Sequence, residues 1–164
     1  MALFDSAYLL LKLFNQADLI HGRKKLQKMV HLLSIAGSNF PFKYQYHHYG
    51  PYSAELQQEI DFMVSYGMLD EIRSSYGYTY QITDRGKEFM NQLNCQYKEN
   101  INQDLVASLN LQSSQFLEMV STYAFLLDSN YDSEGAKKKA LELKPHLAGC
   151  IDEAMKYYHQ MMNF

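Results

Sequence analysis

Four cations crowd the stretch Gly22-Arg23-Lys24-Lys25-Leu26-Gln27-Lys28. A helix is predicted from about Arg23 to Ala36, because Leu26, Met29, Val30 and Leu33 recur at i, i+3, i+4 and i+7. Arg23, Lys24, Lys25 and Lys28 then fall in its first turns. Exposed cations at a helix start oppose the macrodipole by about 0.3–1 kcal/mol each. A cluster kept there despite that penalty is suited to contact phosphates or an acidic partner. The plainer reading of the same residues is a solvated polar face.

A second concentration follows. Tyr44, Tyr46, His47, His48, Tyr49 and Tyr52 lie just before Ser53. Their aromatic content predicts a strand over Tyr44–Tyr49, which Gly50-Pro51 turns. Alternation sends His47 and His48 to opposite faces, so the two cannot chelate one ion together. Tyrosines give contact area at low entropic cost. The macromolecule-binding candidates are therefore Arg23, Lys24, Lys25 and Lys28 with Tyr49, Tyr52 and Ser53. Arg73, beside the turn Ser74-Ser75-Tyr76-Gly77, joins them as a single cation able to enter a minor groove.

No Gly-rich phosphate loop, Gly-x-Ser-x-Gly or metal-spaced His/Cys set is present, and His21, His31, His146 and His159 are scattered. The chain reads as non-catalytic, with no cofactor, metal or catalytic residue. Cys95 and Cys150 fit no metal spacing and read as reduced thiols. No signal peptide or spanning segment is recognised, which points to a cytoplasmic protein without membrane partners.

The elements that would position these residues are legible from pattern. A first helix is predicted over residues 5–20, broken by His21-Gly22. Ser53 suits the N-cap of a helix to about Tyr66, with Leu56, Ile60, Met63 and Val64 inward and Gly67 at its end. Leu69–Arg73 and Tyr78–Ile82 read as a strand pair, and Thr83 caps the next helix. Residues 95–112 are polar and mark a soft boundary. Beyond it, stripes from Phe116 to Leu127 and from Leu147 to Met162 indicate helices, and Asp132 or Ser133 caps one between them. The expected fold is mainly α with a small β-sheet: a winged-helix-like domain over 1–94 and a helical extension over 95–164. That extension either packs on the first part or forms a dimer interface.

At 164 residues and 47% apolar content the chain can bury an ordinary core. Residues 1–91 carry 9 Lys/Arg and 9 Asp/Glu, whereas residues 92–164 carry 6 and 9, which together give the net charge of -3. That balance argues against nonspecific coating of nucleic acid, which needs a basic face. The helix at 53–67, where a winged helix reads DNA, holds Glu55, Glu59 and Asp61 but no cation. The expected function is a non-catalytic regulator that contacts a protein partner. The alternative is a sequence-specific DNA-binding regulator, a homodimer through its last helices.

Gly22-Arg23-Lys24-Lys25-Leu26-Gln27-Lys28, followed by Tyr49-Gly50-Pro51-Tyr52-Ser53-Ala54-Glu55-Leu56, resembles the YwgA family of Firmicutes over most of the chain. More distantly, Lys25–Lys28 and Tyr49–Pro51 are similar to Panacea (SocA-like) antitoxin domains. The resemblance implies a winged-helix-like fold and a cytoplasmic bacterial protein. The Panacea likeness further implies binding and neutralising a partner protein, although the long helical C-terminus departs from that group.

Overall fold

The computed structural model describes residues 4–97 and 99–164. Its first part runs α1 (Asp5–Ala17), β1 (Leu19–His21), α2 (Arg23–Ile35), β2 (Gln45–His47), β3 (Gly50–Tyr52), α3 (Ala54–Ser65), β4 (Leu69–Ser74), β5 (Gly77–Ile82) and α4 (Asp84–Leu93). The second runs α5 (Gln103–Leu111), α6 (Ser114–Asp128), α7 (Ser133–Leu143), a 3-10 turn at Pro145–Cys150 and α8 (Ile151–Met161). The chain is thus mainly α with small antiparallel sheets.

Local chemistry sets many of the boundaries. The Ser53 hydroxyl accepts from the Leu56 N–H, Thr83 from Gly86 and Asp132 from Gly135, the three caps expected from pattern. Each such cap stabilises its helix by about 1 kcal/mol. Gly67, at φ +74°, follows the end of α3.

Two expectations are corrected here. The first helix stops at Ala17 rather than residue 20, because Asp18 turns to φ +66° while its N–H still closes on the Phe14 carbonyl. The next three residues form β1, in which Ile20 lies opposite Tyr80 of β5. Both side chains are fully buried. That pairing completes a three-stranded sheet in the order β1-β5-β4. In the aromatic segment, the turn is His48-Tyr49, and Gly50-Pro51 belong to β3. Proline is tolerated because this two-stranded ladder has free edges and does not need every N–H.

One core joins the two parts. The polar stretch expected as a boundary contains α5, which buries Leu105, Val106 and Leu109 against α1 and α2. Helix α6 is enclosed by α2, α7, α8 and β3, and its residues Leu117 to Ala124 are buried on every side. Sequence pattern predicts a single stripe there. The wider burial brings Glu118, Ser121 and Thr122 inside as well. Ile151, Ala154 and Met161 of α8 face α6, so much of the last stripe is covered within the chain. Among the described residues, no helix is long and apolar enough to cross a membrane.

Candidate functional site

The start of α2 does two separate things. Gln27 and Lys28 point inward, whereas Arg23 and Lys24 reach toward the surface. The Gln27 amide donates to the Ser53 carbonyl and accepts from the Ser53 N–H, both at 2.9 Å. This reciprocal pair ties the start of α3 to α2 and leaves none of the four buried groups unpaired. One residue on, the Lys28 ammonium donates to the Pro51 carbonyl at 2.5 Å. Lys28 is only 1% exposed and Ser53 is fully enclosed, so neither side chain stands on the open surface.

Lys28 belongs to a buried charge cluster that no sequence pattern outlined. Glu118 of α6, itself 1% exposed, binds Lys24 at 2.5 Å and Lys144 at 2.8 Å. The Lys144 ammonium also donates to the His48 carbonyl at 2.6 Å. Three lysines therefore share one carboxylate and two main-chain oxygens. Burial pushes the Lys28 ammonium down to about 7; Glu118 opposes that shift, and Lys24 and Lys144 add to it. For Glu118, burial pushes the carboxyl up, but the hydrogen bonds and charges of Lys144 and Lys24 outweigh it. The net position is below the ordinary carboxylate value, so Glu118 is the fixed anion of the cluster.

The hairpin β2–β3 lies over this cluster. Gly50 adopts φ +94°, and a Cβ there would sit 3.1 Å from Thr122 Oγ1 and 3.6 Å from Lys28 Nζ. Glycine is required both by the backbone and by the close approach.

The remaining predicted contacts separate. Arg23 donates to the Tyr80 hydroxyl at 3.2 Å, pairs with Glu71 at 3.5 Å and stacks 3.8 Å from the Tyr78 ring centre. The bond to Tyr80, which outweighs partial burial, holds the guanidinium above its ordinary value. Lys25 donates to the Asn110 carbonyl, and burial pushes its pKa down. Tyr49 stands 61% exposed at the hairpin turn, with the Lys24 ammonium 5.2 Å from its ring centre. Tyr52 packs on His47 at 5.0 Å. Arg73 lies exposed on β4, 5.8 Å from the Tyr78 ring. Five of the predicted residues, Arg23, Lys24, Lys28, Tyr49 and Tyr52, line one cavity of about 430 Å³ with His47 and His48. Lys25, Ser53 and Arg73 are elsewhere.

Sequence reasoning missed Glu118 and Lys144. The available signal was a lone carboxylate inside the apolar run of α6, since a charge on an enclosed helix needs a partner. His31 is neutral in the core: it bonds the Ser121 hydroxyl at 2.6 Å, and burial, with Lys28 adding to it, holds its pKa down to about 3. No cluster of three or more His, Cys, Asp or Glu poised to hold a metal occurs among the described residues.

A second surface surrounds α3. Phe62 and Tyr66 are 55% and 51% exposed, their ring centres 4.4 Å apart. They border a groove of about 550 Å³ between α1, α3 and α4, floored by Ala7, Met68 and Phe89. Its rim carries Glu59 and Glu88 against one cation, Arg85. Burial pushes the Glu59 carboxyl up, and a hydrogen bond from Ser6 opposes that shift.

A Bacillus subtilis (strain 168) protein named "Uncharacterized protein YwgA" is 33% identical to this chain over 159 residues, covering 93% of each. The chain belongs to the YwgA family. No protein-family model matches it. In this YwgA-family chain, the two stretches that carry the resemblance, Gly22–Lys28 and Tyr49–Leu56, are bonded to each other through Gln27–Ser53 and Lys28–Pro51.

Proposed function

We propose that this YwgA-family protein is a non-catalytic regulator with a winged-helix-like first part, acting through contact with another protein. The order α1-β1-α2-α3-β4-β5, with β1 closing on β5, supports the winged-helix-like reading; the β2–β3 hairpin is inserted between its second and third helices. The observation that carries the function is the outer face of α3. That helix occupies the DNA-reading position, yet it presents Phe62 and Tyr66 beside Glu55, Glu59 and Asp61, with no cation. Carboxylates repel a phosphate backbone, whereas exposed aromatics next to an apolar groove suit a protein. The charge on the rim selects the occupant: a partner segment with apolar side chains flanked by Lys or Arg.

The β4–β5 hairpin supports the second reading, a DNA-binding regulator, because it holds Arg73 and a fully exposed Tyr76 at its end. A pull-down from nuclease-treated bacterial lysate separates the two. A stoichiometric protein partner that survives nuclease, and is lost with Phe62→Ala and Tyr66→Ala, supports the first. Complexes recovered only without nuclease, and indifferent to those substitutions, overturn it in favour of DNA. Both side chains are more than half exposed, so their removal leaves the core intact.

A further inference from the structure

We propose that the cavity between the start of α2 and the β2–β3 hairpin binds a small phosphate ester with a planar ring, such as a mononucleotide, as an effector separate from the α3 surface. The wall has the composition of an anion site. Arg23, Lys24 and Lys28 line it from α2, and His47 and His48 from the hairpin. No Asp or Glu contributes to the lining, in a chain whose net charge is -3. The carboxylates that touch the wall stand outside the lining: Glu118 is shared by Lys24 and Lys144, Glu71 lies 3.5 Å from Arg23, and Asp61 accepts from Gln57. At the floor Lys24, Lys28 and Lys144 face the single carboxylate of Glu118, and a bound dianion would offset that excess of positive charge.

Shape and apolar content favour an organic ester over bare phosphate. About 430 Å³ lies within the range of small-ligand pockets. Tyr49 and Tyr52 offer aromatic faces on which a ring can stack, and Tyr49 is exposed enough to move onto it. The Gln57 amide donates to Asp61 at 3.0 Å and keeps its carbonyl for an exocyclic amino group of the ring.

Lys28 gives binding a signature. It faces Lys24 on its own helix, Glu118 of α6, Lys144 after α7 and the Pro51 carbonyl of β3. Because burial holds it down to about 7, part of the population is neutral at mildly alkaline pH. A phosphate in the cavity favours the ammonium, so binding takes up a proton above neutrality.

Titration calorimetry of the full chain with AMP, adenosine and inorganic phosphate tests this. AMP is expected to bind at least about tenfold more tightly than either of the other two. Arg23→Gln and Tyr49→Ala should each weaken AMP by about fivefold or more, while Lys138→Gln, outside the cavity, leaves it unchanged. Tyr49 is surface-exposed, so its variant stays informative if Arg23→Gln disturbs the Tyr80 contact. Titrations at pH 8 in Tris and in HEPES should show proton uptake that persists in a His47→Gln/His48→Gln variant and vanishes in Lys28→Met. The proposal is overturned by no saturable AMP heat, by equal affinity for adenosine, or by AMP binding indifferent to both cavity substitutions. Phe62→Ala leaves AMP binding unchanged, so failure here is distinct from failure of the protein-contact reading.

Discussion

At the scale of single residues, Lys28 decides most about this protein. Its ammonium is enclosed, donates to one carbonyl and feels the charge of Glu118, the carboxylate that Lys24 and Lys144 bind. Its pKa falls from 10.5 unfolded to about 7 folded. Between those values the unfolded chain holds a proton that the folded chain has released. The Lys28 contribution to stability therefore rises with pH from about 7 toward 10.5, and below 7 the full penalty of burying the charge is present. We predict that the stability difference between wild type and Lys28→Met changes by up to about 1.4 kcal/mol per pH unit across this window. Denaturant melts at pH 6.5, 8 and 9.5 check it; a difference independent of pH would show that Lys28 is not buried as a charge. Methionine also leaves the Pro51 carbonyl without a donor, at a cost of about 1–3 kcal/mol that applies at every pH.

At the scale of elements, the β2–β3 hairpin is held by its fit over α6 and α2. Gly50→Ala meets two obstacles, a positive φ and a 3.1 Å approach to Thr122. Gly77 shares the positive φ, at +117°, but has open space around it. Both alanine variants carry backbone strain of about 1–3 kcal/mol. Gly50→Ala is expected to lower the melting temperature clearly more than Gly77→Ala, and equal losses would mean that the hairpin is not pressed onto the cluster. The helix ends show how much was readable locally. Ser53, Thr83 and Asp132 each bond an N–H three residues on, and a cap needs no information from farther along the chain. Strand β1 was not readable, because Leu19–His21 has the apolar character of a helix end and becomes a strand only by pairing with Thr79–Gln81.

At the scale of the whole molecule, α6 is the post around which the two parts are built. Its buried span joins α2 and β3 of the first part to α7 and α8 of the second. Ile151 of α8 is buried at that junction. Ile151→Asp is therefore expected to unfold the chain, detected by circular dichroism and a lost cooperative melt. Conversion of a folded dimer into a folded monomer, seen by sedimentation, would instead show that the last stripe joins two copies. The charge cluster sits on the same post, which places the cavity wall where the parts meet.

The helical stripes, the caps, the β4–β5 hairpin and the acidic character of α3 are all written in local spacing along the chain. These depend on spacing within one element, where periodicity and capping act over a few residues. The sequence also brought out Arg23, Lys24, Lys28, Tyr49 and Tyr52 as notable residues, five that the fold gathers around one cavity. Which of them are enclosed, and against what, came from the packing of distant elements. Whether a lysine is solvated or enclosed depends on what packs over it, and for Lys28 that is Gly50 and the Glu118–Lys144 pair, the latter about ninety or more positions away. Burial and charge pairing are sums over neighbours in space, and no local pattern along the chain encodes those neighbours.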